Sequence, residues 1–339
     1  MSAPSFHALA VSFALLPLAA DAPHVFAQQA PTVAPVNITE WKVPWANTRP
    51  RDPYVAADGK VWFVGQAGNY VANLDPATGK FRRYEIEEGT HPHNLVIDAQ
   101  GRVWFSGNTN ARIGWLDPNN GRSTIYPMPD PQAKDPHTMI FDRTGNIWFT
   151  AQFSNFVGRL DIRTGAIHLM PSPTKDSRPY GIVVDPGGRP YFDEFNTNKI
   201  GSIDPKTMAI KEYTLPKRAR PRRIAVTSDG IIWYGDFMQG MLGRLDPRNG
   251  NVREFPLPDA ATSLPYAMAS DDRGRIWLLE TGVQPNKLVG LDPRTEKWIS
   301  VTPIGDSGAG TVRHMIYHAP TKSLWFGTDA NTIGRARIP

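Results

Sequence analysis

The sequence predicts an all-β protein in which one four-stranded unit is repeated seven times. Two observations indicate this. A pair of large apolar residues recurs at intervals of 42 to 48 residues, beginning at Trp62, Trp104, Trp148, Tyr191, Trp233, Trp277 and Trp325. A proline stands twelve residues before each pair, at Pro50, Pro92, Pro136, Pro179, Pro221 and Pro265, with Arg313 at this place in the last copy. A fixed period of this length is typical of repeat architectures.

Each copy reads as four short strands joined by turns. The segment after the proline is the first strand, as in Asn94–Asp98, and the aromatic pair begins the second after a glycine-containing turn. A third strand contains a glycine and ends at an Asp-Pro or Asp-Ile turn, as in residues 113–118, and a fourth follows, as in residues 210–215. Four strands in about 43 residues form a β-propeller blade, so a seven-bladed β-propeller is predicted.

The ring is predicted to close through the N-terminal end of the domain. Seven copies of the first three strands are present, but only six fourth strands follow one. A seventh sequence of the fourth-strand type lies at the opposite end, at Ile38–Pro44. We expect it to pair with the last three strands and complete the seventh blade, because this removes the open edge of a linear array.

Composition excludes several kinds of site. The 339 residues include 32 prolines, 29 glycines and 10 tryptophans, which favours strands and turns over a helical bundle. Cysteine is absent, so disulfides, thiolate metal sites and cysteine nucleophiles are excluded. The net charge of +5 comes from interspersed charges, and nucleic acid is not expected as a partner. The one dense basic run, residues 217–223, is either a solvated loop or a rim that binds anions.

The first residues differ in composition from the rest. Phe6–Ala20 is an apolar run too short for a comfortable membrane span, and Val25-Phe26-Ala27 has the small-residue character of a cleavage site. We therefore expect residues 1–27 to be a secretory signal peptide, residues 28–37 a flexible leader, and residues 38–339 a single propeller domain. The mature protein is then expected to be periplasmic or secreted, monomeric and without a membrane span.

The expected ligand site is one mouth of the central channel. The residue after each repeat proline enters the innermost strand, so these seven residues are expected to ring the channel. They are Arg51, His93, His137, Tyr180, Arg222, Tyr266 and His314. None is aliphatic, whereas a purely structural position would more often be apolar. We expect the ring to bind a small molecule or a cyclic peptide, with His137 considered separately below.

A second set of positions, three residues after the start of each aromatic pair, carries carboxylates in three consecutive copies. These residues are Glu194, Asp236 and Glu280. Two interpretations are open for them. They bind a cation or a hydroxyl-bearing ligand, or they pair with Arg51, Arg178 and Arg222 across the channel.

The repeated phrases resemble those of the streptogramin B lyase (virginiamycin B lyase) family. They combine Pro-His/Tyr-x-Ile/Met, Asp-x-x-Gly-x-Ile-Trp-Phe, Asn-x-Ile-Gly-x-Leu/Ile-Asp and Glu-Tyr/Phe-x-Leu-Pro, and residues 178–182 and 196–201 are especially close to them. The resemblance covers residues 38–338. It implies a seven-bladed propeller and a carbon–oxygen lyase that opens a cyclic depsipeptide ester by β-elimination, an activity that would give resistance to streptogramin antibiotics.

The resemblance also implies roles for single residues. In the family a histidine in an acidic-Pro-His phrase is the general base, and Mg²⁺ held by acidic residues stabilises the enolate. Here the phrase is Asp135-Pro136-His137, so His137 is the expected base, Asp135 a metal ligand and His93 a substrate contact. The second metal carboxylate is replaced by Gln152, a poorer Mg²⁺ ligand. These phrases lie in copies two and three, whereas the family carries them in the last two.

Two functions remain open from the sequence. One is a secreted, Mg²⁺-assisted lyase of the streptogramin B type. The other is a propeller without turnover that binds an anionic ligand or a protein partner on its channel face, for which Arg51, Arg178, Arg222 and the basic run are suited. Hydrolysis of a lactone is disfavoured, because the acidic positions lie in copies four to six and the best histidine pair in copies two and three.

Overall fold

The computed structural model describes Met1, residues 34–305 and residues 307–339. In this part of the chain 28 strands form seven antiparallel sheets of four strands each. Two short 3₁₀ helices are also present, at Ala260–Thr262 and Ala319–Thr321. Apart from Met1, the predicted signal peptide lies outside the described residues, so secretion stays a prediction. Among the described residues, no helix has the length and apolar character needed to cross a membrane.

The strands are numbered β1–β28 in chain order. The innermost strands of the seven blades are β2 (Pro50–Val55), β6 (Pro92–Ile97), β10 (Pro136–Phe141), β14 (Pro179–Val184), β18 (Pro221–Val226), β22 (Pro265–Ser270) and β26 (Val312–His318). The second strands are β3 (Val61–Gly65), β7 (Val103–Gly107), β11 (Ile147–Ala151), β15 (Pro190–Glu194), β19 (Ile232–Asp236), β23 (Ile276–Glu280) and β27 (Ser323–Thr328).

The outer half of each blade is equally regular. The third strands are β4 (Tyr70–Asp75), β8 (Arg112–Leu116), β12 (Phe156–Leu160), β16 (Lys199–Ile203), β20 (Met241–Asp246), β24 (Lys287–Asp292) and β28 (Thr332–Arg337). The outermost strands are β1 (Asn37–Lys42), β5 (Lys80–Glu85), β9 (Ser123–Pro127), β13 (Ile167–Pro171), β17 (Ile210–Thr214), β21 (Asn251–Pro256) and β25 (Lys297–Pro303).

The N-terminal strand closes the ring. β1 pairs antiparallel with β28 along its full length, as the outermost strand of the seventh blade. Trp41 of β1 stacks on Trp325 of β27, with ring centroids 5.5 Å apart. The innermost strand of the seventh blade, β26, in turn packs against β2 of the first blade. The prediction of an all-β, seven-bladed propeller closed in this way is therefore confirmed.

Packing within each blade explains the repeated phrases. In the third blade, one oxygen of Asp142 accepts two backbone N–H groups of its own turn, at 2.8 and 3.0 Å, and the other accepts the indole N–H of Trp148 at 2.9 Å. The glycine of the third strand lies against an aromatic ring of the second, since a Cβ on Gly158 would stand 2.3 Å from the ring of Phe149. These phrases thus specify the blade rather than a reaction.

Candidate functional site

Side chains at the start of the innermost strands meet at one mouth of the central channel. In six blades the strand begins with the repeat proline, and the next residue is the one predicted for the ring. These six residues are Arg51, His93, His137, Tyr180, Arg222 and Tyr266. Contacts between side chains of different blades join all of them except Arg51, so these polar side chains lie together at this mouth.

In the seventh blade the predicted ring position is wrong by one residue. The pairing of β26 with β27 gives Val312 the place that proline holds in the other blades. The turn that contains the 3₁₀ segment Ala319–Thr321 is one residue longer than the corresponding turns, so counting back from the aromatic pair overshoots. Arg313 therefore occupies the ring, and His314 lies one residue further along β26.

Four of the ring side chains are aromatic. The imidazoles of His93 and His137 have centroids 3.4 Å apart, and the His137 ring lies 4.2 Å from that of Tyr180. The hydroxyls of Tyr180 and Tyr266 share a hydrogen bond. All four residues are at most 4% exposed, so they close the channel at this level.

The other ring side chains carry guanidinium groups. Arg222 lies over aromatic rings, with its Cζ 3.7 Å from the ring centroid of Tyr266 and 4.2 Å from that of Phe237. Arg51 donates to Asp52 Oδ1 at 2.9 Å and to a glutamine side chain at 3.0 Å. Arg51 Nη2 and Arg222 Nε are buried and have no hydrogen-bond partner among the described residues. These two donors are therefore available to a ligand.

A carboxylate that sequence reasoning missed lies one residue deeper in the channel. Asp52 is fully buried and accepts hydrogen bonds from Arg51 Nε and Asn94 Nδ2, each at 2.9 Å, and Arg223 Nη2 lies 3.7 Å from its second oxygen. Its φ of 50° belongs to the left-handed region, which aspartate tolerates better than most residues. Burial would raise the pKa of Asp52, but Arg51, His314 and Arg223 hold it well below its usual value.

Arg223 spans the channel beneath the ring. It comes from the fifth blade, donates to Thr138 Oγ1 of the third blade at 2.9 Å, and donates to the backbone carbonyl of Arg313 of the seventh blade at 3.0 Å. It is the second residue after its repeat proline, as Asp52 is. The register shifts near the start of the innermost strands bring both residues after the proline into the channel. An apolar pattern does not reveal such a shift, which is why this layer was not predicted.

The charges at the mouth set the protonation of its bases. Burial lowers the pKa of His137 well below its usual value, and Arg223 and Arg51 lower it further, so the imidazole is neutral at neutral pH. Burial would raise the pKa of Tyr266, but the guanidinium groups, led by that of Arg222, outweigh it and lower the pKa to about 8. Both side chains can therefore accept a proton near neutral pH or slightly above it.

Hydrogen bonds assign the proton on His137. The Thr138 hydroxyl accepts an N–H of Arg223 at 2.9 Å and lies 2.9 Å from His137 Nδ1. Since that hydroxyl has one hydrogen to donate and no other acceptor among its contacts in the described residues, it donates to Nδ1. The proton of His137 is then on Nε2. His137 could accept a proton at Nδ1 only after the Thr138 hydroxyl turns away.

The residues expected to hold Mg²⁺ have other roles. Asp135 Oδ2 accepts the backbone N–H of Phe153 at 2.6 Å, and Oδ1 accepts the backbone N–H of Ser154 at 3.0 Å as well as its hydroxyl. Asp135 thus holds the loop after β11 in place. Gln152 is buried and uncharged, so the pair lacks the hard, free oxygens that Mg²⁺ prefers. The donor set does not fit the ion.

The alternative acidic positions do not meet in the channel either. Glu194, Asp236 and Glu280 each end the second strand of their own blade, and each accepts a hydrogen bond from a nearby loop residue, at 3.2, 3.0 and 3.0 Å respectively. Across the described ranges, no three His, Cys, Asp or Glu side chains are placed to share a metal ion. The predicted shared cation site is therefore wrong for these acids, and they form no ion pair with the channel arginines either.

Two of these acids have a raised pKa and a neighbouring carboxyl group that contributes to it. Burial raises the pKa of Glu194 to about 7, and the Glu212 carboxylate adds to the effect. Burial also raises the pKa of Glu280 to about 8, with Asp259 as its partner. The side chain at the end of β15 is therefore turned into its own blade, and the side chain at the end of β23 is turned toward the loop that follows β21. Counting residues along the strand predicted that these side chains lie in the channel, but it does not give the direction in which they point.

Comparisons with known proteins agree on one family. The sequence profile of the virginiamycin B lyase family matches residues 36–336. A structure of streptogramin B lyase superposes with a TM-score of 0.80 at 25% identity, over 89% of this chain and 98% of that chain. A catalytically inactive histidine-to-alanine variant of virginiamycin B lyase from Staphylococcus aureus, with quinupristin, gives 0.80 at 25% identity, over 89% and 99%.

More distant likeness extends to the fold alone. Hydrazine synthase from Kuenenia stuttgartiensis superposes with a TM-score of 0.70 at 14% identity, over 87% of this chain and 97% of that chain. No curated protein sequence matches the chain. The family profile spans the whole propeller, and the two lyase structures are covered almost completely. The chain therefore belongs to the virginiamycin B lyase family.

Proposed function

We propose that the chain is a carbon–oxygen lyase that acts on a carbonyl compound at the channel mouth. Family membership supports the reaction class. The observation that carries the proposal is that proton acceptors and guanidinium donors meet in this ring, where the Tyr180 side chain contacts both His137 and Arg222. A base beside fixed positive charge is the arrangement that removal of a proton next to a carbonyl requires.

The proposed reaction is a β-elimination. A base removes the proton α to a carbonyl, the electron pair becomes a carbon–carbon double bond, and the β-carbon–oxygen bond breaks, so that the oxygen leaves as a carboxylate with the bonding pair. His137 is the base proposed from sequence. The unpartnered donors of Arg51 and Arg222 would stabilise the enolate oxygen and the leaving carboxylate.

Tyr266 is a second group at the mouth that could accept the proton. Its pKa of about 8 lies above that of His137, so the ionised tyrosine is the stronger base, and the lowering from its usual value makes that ionised form accessible slightly above neutral pH. It lies under the guanidinium of Arg222, which would hold the negative charge of the tyrosinate. The assay below is designed to separate the two bases.

Exposed apolar side chains near the mouth suit a cyclic peptide with aromatic parts. Phe153, in the loop after β11, is 71% exposed, and Met238, in the loop after β19, is 56% exposed. Both loops follow second strands, which end at the same face of the propeller as the ring. A cyclic depsipeptide ester of the streptogramin B type is therefore the first substrate to test, and quinupristin is the probe.

The test is incubation of the mature protein with quinupristin, followed by mass spectrometry. Elimination opens the ring without a change of mass, whereas hydrolysis adds one water. We expect His137→Ala to lower turnover at least 100-fold if His137 is the base, Tyr266→Phe to do so if Tyr266 is, and the exposed His168→Ala to have no effect. A wild-type protein inactive on quinupristin and other cyclic depsipeptides would remove the lyase proposal for this substrate class.

A second candidate function is binding of a small anion without turnover. The observation that favours it is the pair of buried guanidinium donors without partners, Arg51 Nη2 and Arg222 Nε. Calorimetry with citrate as the probe tests it. Arg222→Gln should weaken citrate binding at least tenfold, whereas Arg163→Gln, at a side chain 85% exposed, should not change it. Absence of citrate binding to the wild-type protein would reject this candidate.

A further inference from the structure

We propose that the lower half of the central channel is a second ligand site, which binds a small apolar carboxylate. A cavity of about 310 Å³ lies among the innermost strands, on the far side of the layer that Asp52 and Arg223 form beneath the ring. The ring side chains that close the mouth are absent from its lining, so the cavity is distinct from the proposed lyase site. The inference does not depend on the lyase proposal.

The wall of the cavity is apolar. Six blades each contribute the residue three positions after the start of their innermost strand, and all six are aliphatic or methionine. They are Leu95, Met139, Ile182, Ile224, Met268 and Met315. At about 30 Å³ per molecule the space would hold roughly ten waters, each in need of two to four polar partners. Against this largely apolar wall the waters would bond mainly to one another, so an apolar ligand is the better occupant.

The end of the cavity nearest the ring is polar. Its lining there is Asn94, Thr138, Arg223 and His314, each two residues after the start of an innermost strand. Asn94 and Thr138 have hydrogen-bond partners within the protein. Arg223 Nη2 and His314 Nδ1 are buried and have no hydrogen-bond partner among the described residues. Arg223 itself is 3% exposed, and unpartnered groups of such burial call for a ligand.

The charge of the lining selects the sign of the ligand. Among the described residues, Arg223 is the one charged side chain that lines the cavity, and no aspartate or glutamate lines it. Burial, with Arg223 and Arg51, lowers the pKa of His314 to about 4 against the opposing effect of Asp52, so His314 is neutral near pH 7. A carboxylate could accept from Arg223, whereas an ammonium group would face its guanidinium charge at the cavity wall. The volume fits a ligand of about ten non-hydrogen atoms.

The test uses octanoate and octylammonium, which have the same tail and opposite charge, in calorimetric titrations of the mature protein. We expect saturable 1:1 binding of octanoate and at least tenfold weaker binding of octylammonium. Equal affinity for the two, or no binding of octanoate at millimolar concentration, would overturn the proposal.

Variants place the octanoate site. Ala269 lines the cavity, so Ala269→Leu should narrow it and weaken octanoate binding at least tenfold, whereas Ala77→Leu, in an exposed turn, should not. Arg222→Gln, at the mouth, should leave octanoate affinity unchanged, and this comparison does not require Ala269→Leu to fold. Loss of octanoate binding in Arg222→Gln would place the ligand at the mouth and overturn the proposal.

Discussion

At the scale of single residues, the channel is a balance of buried charge. Arg51 and Arg223 lie against Asp52 and lower its pKa, while Arg222 forms no ion pair among the described residues, so positive charge is in excess. Unpaired buried charge is costly, and proteins keep it where a ligand or a reaction uses it. The family's magnesium chemistry lacks a fitting donor set in the described residues, and the guanidinium groups are the remaining source of electrophilic stabilisation.

This leads to a prediction about metal dependence. If quinupristin is opened, EDTA should leave the initial rate unchanged within twofold, because no carboxylate cluster in the described residues fits Mg²⁺. Arg222→Lys should lower the rate even though charge is retained, since a lysine cannot reproduce the planar donor group over Tyr266. A rate that falls on EDTA treatment and returns with added Mg²⁺ would show that the ion binds through residues not identified at the mouth.

A second prediction at this scale concerns Asp193 of β15. It is fully buried beneath Gly181, whose backbone N–H it accepts at 3.1 Å, and burial raises its pKa well above the usual value. A raised folded-state pKa means that its contribution to stability is complete below about pH 4 and is lost as pH rises toward the folded-state pKa. Asp193→Asn should therefore be more stable than wild type at pH 8, by about 1–3 kcal/mol.

The measurement for Asp193 is the difference in free energy of unfolding between the variant and the wild type from pH 4 to pH 8. The difference should grow in favour of Asp193→Asn as pH rises. Glu194 and Glu280 titrate in the same direction in both proteins, so they cancel in the difference. A difference that does not change with pH would show that Asp193 is not the titrating group.

At the scale of elements, the repeated residue pairs predict the blade better than the alternation of apolar residues in the single strands does. The third-strand glycine and the second-strand aromatic ring occupy one space in the blade, as Gly158 and Phe149 show. Such a pair is visible in the sequence because it recurs with a fixed spacing. The strands, the blade order and the closing strand could therefore be predicted.

Features that depend on a shift of one residue in strand register could not be predicted from the sequence. The turn before β27 is one residue longer, which places Arg313 in the ring instead of His314. The spacing in the other six copies does not predict this extra residue. The same holds for the register shifts that bring Asp52 and Arg223 into the channel. The direction of Glu194 into its own blade follows from packing that only the folded sheet defines.

The glycine-to-ring contact gives a prediction for β12. A Cβ on Gly158 would lie 2.3 Å from the Phe149 ring, so Gly158→Ala must displace the ring or the strand. We expect a loss of about 1–3 kcal/mol in the free energy of unfolding, measured by urea denaturation. In a Phe149→Leu background the same change should cost less than half as much, because the obstructing ring is gone. Equal costs in the two backgrounds would place the strain elsewhere.

At the scale of the whole molecule, stability depends on closing the ring. Each blade packs against two neighbours, and the seventh is completed only by β1. This strand also ties the blade to its surroundings, because Glu40 accepts hydrogen bonds from the hydroxyls of Ser307, at 2.5 Å, and Thr332, at 2.6 Å. A mouth built from side chains of all seven blades keeps its geometry only while the ring is closed.

Deletion of residues 28–45 from a chain of residues 28–339 should therefore destabilise it far more than removal of a surface tail. It would remove the ladder between β1 and β28, the stack of Trp41 on Trp325, and the buried Val43. Loss of a buried large side chain alone costs about 3–5 kcal/mol, and the exposed edge of β28 would invite pairing between molecules. We expect a lower melting temperature and larger species in size-exclusion chromatography. Deletion of residues 28–33 alone is the control and should change neither. An unchanged melting temperature after the longer deletion would mean that the ring is held closed by the contact between β26 and β2, without help from the N-terminal strand.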